Sequence, residues 1–74
     1  MSKFKFTKLR DGRETEVSYT TTATDAADAL NDYALHFGIG RQRGWEYDPS
    51  NQSLVRYSEY CTIMEEVVAR PITA

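Results

Sequence analysis

With 74 residues the chain has room for one domain, because so short a chain buries only about 60–65 % of its extended surface and cannot divide that core in two. An apolar fraction of 41 % and nine aromatic residues supply one compact core and exclude a disordered polar segment. Nine basic and eleven acidic residues leave a net charge of −2, which excludes capture of nucleic acid by bulk electrostatics and leaves only local patches for it.

The first element is a β-hairpin. "KFKFTKLRDGRETEVSYT" holds two alternating runs around Asp11-Gly12, a dipeptide suited to the positive φ angles of a two-residue turn. Arg10 then faces Arg13, and counting outward pairs Lys8 with Thr15, Phe6 with Val17 and Phe4 with Tyr19 on one face. Thr7 meets Glu16 and Lys5 meets Ser18 on the other.

"TTATDAADALNDYALHFGIG" predicts a helix, its first free amides capped by Thr22 with Asp25 or by Thr24. Ala26, Ala27, Leu30, Tyr33, Ala34 and Phe37 recur at three- and four-residue intervals and form the apolar face, with Leu35 off the stripe. Gly38 falls where a helix takes a left-handed C′ residue, and Ile39 is placed to fold back on the last turn. The glycines Gly38, Gly40 and Gly44 therefore leave a helix at its negative end, in G-x-G-x-x-x-G spacing. A dinucleotide loop needs G-x-G-x-x-G leading into a helix, so the expectation is a C-cap and connector.

"RGWEYDPSNQSLVRYS" predicts a second hairpin around Asp48-Pro49-Ser50-Asn51. The tail is ambiguous. Thr62-x-x-Glu65 resembles a capping box and Tyr60, Ile63, Met64, Val67 and Val68 lie on helical spacing, yet Ile63, Val67 and Val68 also suit a strand; a short helix ending before Pro71 is preferred to a fifth strand. The expected whole is a single two-layer α+β domain spanning 1–74, an antiparallel sheet with one main helix packed on it: β-β-α-β-β plus a C-terminal short helix or fifth strand.

Candidate chemistry is sparse. His36 lies one turn after Asp32, but two groups on one helix do not make a metal site. Cys61, the single cysteine, permits no internal disulfide and reads as a small apolar residue unless His36 approaches it. The pairs Glu65-Glu66 and Glu46-Asp48 would need a substrate cleft that a chain of this length rarely spares. The expectation is no enzyme, no cofactor and no metal. Residues 1–15 lack an apolar run of signal-peptide length and nothing approaches the roughly 20 apolar residues of a membrane span, so a cytoplasmic location is expected.

Two surfaces remain. Asp25, Asp28 and Asp32 stack along one helix edge, rising about 4.5 and 6 Å between neighbours. That is an acidic edge for a basic groove on a protein partner. Arg41, Arg43, Trp45, Tyr47 and Arg56 interleave cations with aromatics as single-strand nucleic-acid platforms do, and Lys3, Lys5, Lys8, Arg10 and Arg13 could extend the patch; Glu46, Asp48, Glu14 and Glu16 in the same strands weigh against it.

In size, charge and element order the chain resembles the small inhibitors of bacterial defence that phages and other mobile elements encode, anti-CRISPR proteins in particular. The resemblance implies a stoichiometric, cofactor-free protein binder that occludes a surface or blocks a conformational change in the host cytoplasm. The first expectation is therefore a protein-binding inhibitor using the acidic edge. The alternatives are a nucleic-acid accessory domain using the basic and aromatic patch, and a structural homodimer joined through a strand edge or the apolar tail.

Overall fold

The computed structural model describes residues 1–39, 44–60 and 62–72. They form a small α+β fold with five antiparallel strands and one helix: β1 (Ser2–Arg10), β2 (Arg13–Ala23), α1 (Ala26–Phe37), β3 (Trp45–Asp48), β4 (Ser53–Tyr57) and β5 (Ile63–Pro71). The strand order is β2-β1-β5-β4-β3, so the last strand in sequence lies at the centre of the sheet.

The Asp11-Gly12 turn forms with both residues at positive φ, 52° and 75°. Pairing follows the expected count from Arg10↔Arg13 to Thr7↔Glu16, then shifts by two residues, so that Lys5 faces Thr20 and not Ser18, and Phe4 faces Thr21 and not Tyr19. A one-residue slip would turn every later side chain to the wrong face; an even shift preserves the faces. The irregularity sets Val17, Ser18 and Tyr19 against Phe6 alone. It brings the Tyr19 ring to 5.8 Å from that of Phe6, nearly parallel to it.

Helix α1 is capped by Asp25 itself, whose Oδ1 accepts from the Asp28 amide at 2.8 Å, rather than by a Thr22–Asp25 box or by Thr24. The Thr24 hydroxyl instead donates to the Asp28 carboxylate. Gly38 ends the helix at φ 69° with its amide donating to the Ala34 carbonyl, and Ile39 folds back into the core as expected. The buried stripe is Ala26, Ala29, Leu30 and Tyr33. Ala29 replaces the expected Ala27, which faces solvent, and Phe37, the last residue of the helix, is 46 % exposed.

The core lies between this stripe and the sheet residues Phe4, Phe6, Ala23, Val67 and Ala69, with Val17, Tyr19, Trp45 and Leu54 packed at its margin. Residues 63–71 form a strand, not the preferred short helix. As a strand, Glu65, Val67 and Ala69 face the helix while β5 pairs with β1 on one side and β4 on the other. As a helix the same segment would leave both of those edges unpaired. Thr62, the supposed cap, closes the preceding turn by donating its amide to Ser58 Oγ. The second hairpin closes over residues 49–52, with Asp48 Oδ1 accepting from the Ser50 amide, Oδ2 accepting from the Asn51 side chain and Gln52 left-handed at φ 52°.

Candidate functional site

At about 1.5 Å per residue the 12-residue helix is about 18 Å long, whereas a nine-residue strand spans about 30 Å. One end of the helix-bearing face is therefore left without a helix over it. Register fixes what stands there, because residues directly opposite one another in antiparallel strands share a face. The pairs Arg13↔Arg10, Arg10↔Glu65, Glu65↔Arg56 and Arg56↔Trp45 run as one row across all five strands. The adjacent row is Thr15, Lys8, Val67, Leu54 and Tyr47.

Glu65 is the hub. It is 8 % exposed, yet no acid stands beside it in the row. Arg56 Nη2 donates to its Oε1 at 3.1 Å, Arg10 Nη1 lies 3.9 Å from the same oxygen, and Lys8 Nζ lies 3.6 Å from Oε2. Only the first of these is within hydrogen-bond distance. Among the described residues four cations, Lys8, Arg10, Arg13 and Arg56, thus stand in these two rows with one carboxylate, and Asp11 lies in the turn beside Arg10 and Arg13. Arg56 Nε is buried with no hydrogen-bond partner, so the guanidinium retains an unused donor.

The acids that weighed against this patch lie elsewhere. Of these four, Glu14 is opposite Leu9, Glu16 opposite Thr7, Glu46 opposite Val55 and Asp48 opposite Ser53; Glu66, opposite both Leu9 and Val55, joins them. All five belong to the other face. In "RETE" the pleat sends Arg13 to one side of the sheet and Glu14 and Glu16 apart from it on the hairpin's other face, and in "WEYD" it parts Trp45 and Tyr47 from Glu46 and Asp48.

Against this face lies a pocket of about 270 Å³ lined by Lys8, Tyr33, Phe37, Ile39, Trp45, Glu65 and Val67. Burial raises the pKa of the Tyr33 phenol, and the Glu65 charge raises it further. Trp45 is half-buried here and Tyr47 is exposed. Of the cation and aromatic residues singled out in the sequence, Trp45, Tyr47 and Arg56 share the face; Arg41 and Arg43 lie outside the described residues. Lys8, Arg10 and Arg13 join them, whereas Lys3 and Lys5 are on the opposite face, Lys5 opposite Arg70.

The acidic helix edge is arranged differently. Asp25 is the cap and Asp28 accepts from Thr24, both exposed at the helix start. Asp32 is half-buried and accepts from the hydroxyls of Thr21 and Tyr19, the latter at 2.7 Å. Those two donors hold its carboxyl below the ordinary range, with burial opposing and the His36 charge assisting. In return the bond to Asp32 raises the Tyr19 phenol. His36 stacks on Tyr19 at 4.2 Å between ring centroids. Cys61 lies outside the described residues, and among the described residues no group of three potential metal ligands converges.

The sequence reading missed Glu65 as the organising residue. A signal was present: Arg10 facing Arg13 across a tight turn places like charges directly opposite, which disfavours the hairpin unless an anion sits beside them or their joint charge serves a partner. No protein-family model, curated protein or solved structure matches the chain. Among the described residues no helix is long and apolar enough to cross a membrane.

Proposed function

We propose that the chain is a non-catalytic binding module that holds a single-stranded nucleic acid on the end of its helix-bearing face that lies beyond helix α1. One observation carries this reading: Arg13, Arg10, Arg56 and Trp45 are in one cross-strand row with Lys8 and Tyr47 beside it, while the acids of the same strands occupy the other face. The row crosses four inter-strand gaps, about 19 Å at about 4.8 Å each. Its cations meet phosphates and its aromatics meet bases, which is how single strands are held without sequence readout. Because the remaining surface carries the compensating acids, such binding is local and sensitive to salt. The test is titration of the protein with a fluorescent 12-nucleotide single strand at 50 mM salt, following anisotropy together with quenching of Trp45, the one tryptophan. Saturable binding with quenching supports the proposal; no change in either signal overturns it.

A second reading keeps the inhibitor of a bacterial defence complex, occluding a basic groove through Asp25, Asp28 and Asp32. It is favoured by the exposure of Asp25 and Asp28, which face solvent while serving the helix start. Asp25 and Asp32 also hold the fold, so the informative substitution is Asp28→Asn. Weakened binding to a purified defence complex in a calorimetric titration, with an unchanged unfolding midpoint, supports this reading; unchanged affinity removes the edge from it.

A further inference from the structure

The pocket beside the cationic row has a composition that phosphate binding does not need. Phosphates require cations at a surface, whereas this hollow offers three aromatic rings, a nearly buried carboxylate and one lysine. Its volume of about 270 Å³ is close to the lower end of small-molecule sites, about 300 Å³. Phe37 is kept at its mouth by Tyr33, with ring centroids 4.5 Å apart, and Trp45 comes from the far edge of the sheet. Tyr33 is buried and Phe37 exposed, so a planar group would pack against Phe37 and Trp45.

The polar atoms narrow the choice. Glu65 Oε1 is taken by Arg56, while among the described residues Oε2 has Lys8 at 3.6 Å, beyond hydrogen-bond length, which leaves it acceptor capacity toward them. Lys8 Nζ has three donors, and among the described residues its ion pair with Glu65 at 3.6 Å is beyond hydrogen-bond length. The site thus presents acceptors from a carboxylate with a cationic donor adjacent. Among the bases, guanine carries the complement along one edge: two neighbouring N–H donors, N1–H and the exocyclic N2 amine, beside the O6 acceptor. Cytosine and adenine carry a single amine next to an acceptor, and thymine and uracil carry one N–H between two acceptors; none offers two adjacent donors to a carboxylate.

We infer that this pocket binds a guanine base, packed against Phe37 and Trp45 with Tyr33 at its floor, N1–H and N2–H donating to Glu65 and O6 accepting from Lys8. The inference rests on the single-strand reading above and adds to it a preference that phosphate contacts cannot supply. It also gives the row a direction, with the base entering beside Lys8 and Glu65 and the strand continuing over Arg10 and Arg13.

The experiment compares three 12-nucleotide strands on the unmutated protein by anisotropy at 50 mM salt: all thymidine, the same with one central guanine, and the same with inosine in place of that guanine. Inosine retains O6 and N1–H and lacks the exocyclic amine. The expected result is that the guanine strand binds at least about fivefold more tightly than the thymidine strand, the low end of what a two-bond base contact contributes, and that inosine loses most of the gain. Glu65→Gln, which keeps the shape but not the paired acceptors, is expected to abolish the difference between guanine and thymidine strands. Lys8→Met, which keeps the aliphatic stem, is expected to reduce it should Glu65→Gln not fold. Competition by free GMP at the oligonucleotide's own concentration supports the pocket with a free nucleotide as its ligand. Equal affinities for all three strands overturn the guanine pocket while leaving the polyanion face standing; no binding of any strand overturns both.

Discussion

The segregation of charge between the two faces can be tested by how binding depends on salt. When a protein neutralises Z phosphates of a single strand, log K falls with log[salt] at a slope of about −0.7Z. Among the described residues Lys8, Arg10, Arg13 and Arg56 contribute a Z of four or below, so their share of the slope is at most about −2.8, and raising salt fourfold from 50 to 200 mM weakens binding through them by roughly 50-fold. The perturbation is Arg10→Ala with Arg13→Ala. Both residues are exposed, the Arg10 side chain at 62 %, and the 3.9 Å contact of Arg10 with Glu65 contributes at most about 1 kcal/mol, offset by relief of the Arg10–Arg13 repulsion. The fold should therefore persist, checked by circular dichroism. The expected share of the slope is then about −1.4, a loss of only about sevenfold over the same salt range. The matched control, Glu14→Gln with Glu16→Gln, alters the same hairpin on its other face, where screening over about 10 Å at 0.1 M salt separates it from the row. Anisotropy titrations at five salt concentrations measure all three slopes. An unchanged slope in the arginine variant, or an equal change in the glutamate variant, would refute the claim that the sheet sorts these charges into a binding face.

Phe6→Ala removes the fully buried ring that packs on Tyr19 and Tyr33 and should cost about 3–5 kcal/mol. Against the total of roughly 4–11 kcal/mol expected for 74 residues, that is enough to shift a urea midpoint severely or unfold the chain. Asp25→Ala deletes the side-chain cap of α1 and should cost about 0.5–2 kcal/mol in the same assay, whereas Thr24→Ala should cost less because Thr24 is not the cap. For Asp32 the sign follows from a folded carboxyl held below its unfolded value. Its stabilisation is complete above about pH 3.9 and is lost as pH falls through the lower folded value, so the urea-midpoint gap between the protein and Asp32→Asn should stay constant from pH 7 to about 4 and shrink only below that. A gap that closes between pH 7 and 5 would show that a different group is titrating.

Local chemistry was enough for most elements. Asp11-Gly12 can satisfy a tight hairpin turn without strain, Gly38 can stop a helix in a left-handed cap, and Asp48 can brace the second turn, each through atoms within a few residues. These features were readable because the groups that satisfy one another are neighbours in the chain. The tail was not. Ile63, Val67 and Val68 match both a helical and a pleated period, and what selects the strand is the pair of open edges on β1 and β4, about 60 and about 10 residues away. The two-residue shift beside Phe6 was likewise invisible, since it is set by Tyr19 reaching across to Phe6 and Asp32 on other elements.

The sequence by itself determined which residues turn, which glycine ends the helix and which side chains carry charge, because those properties belong to single side chains and their immediate neighbours. Only the tertiary structure decided which charges act together. Placing β5 between β1 and β4 brought Glu65 among Lys8, Arg10 and Arg56, and the pleat carried Glu14, Glu16, Glu46, Asp48 and Glu66 to the other side. Electrostatic partnership depends on distance through space, and strand order sets that distance.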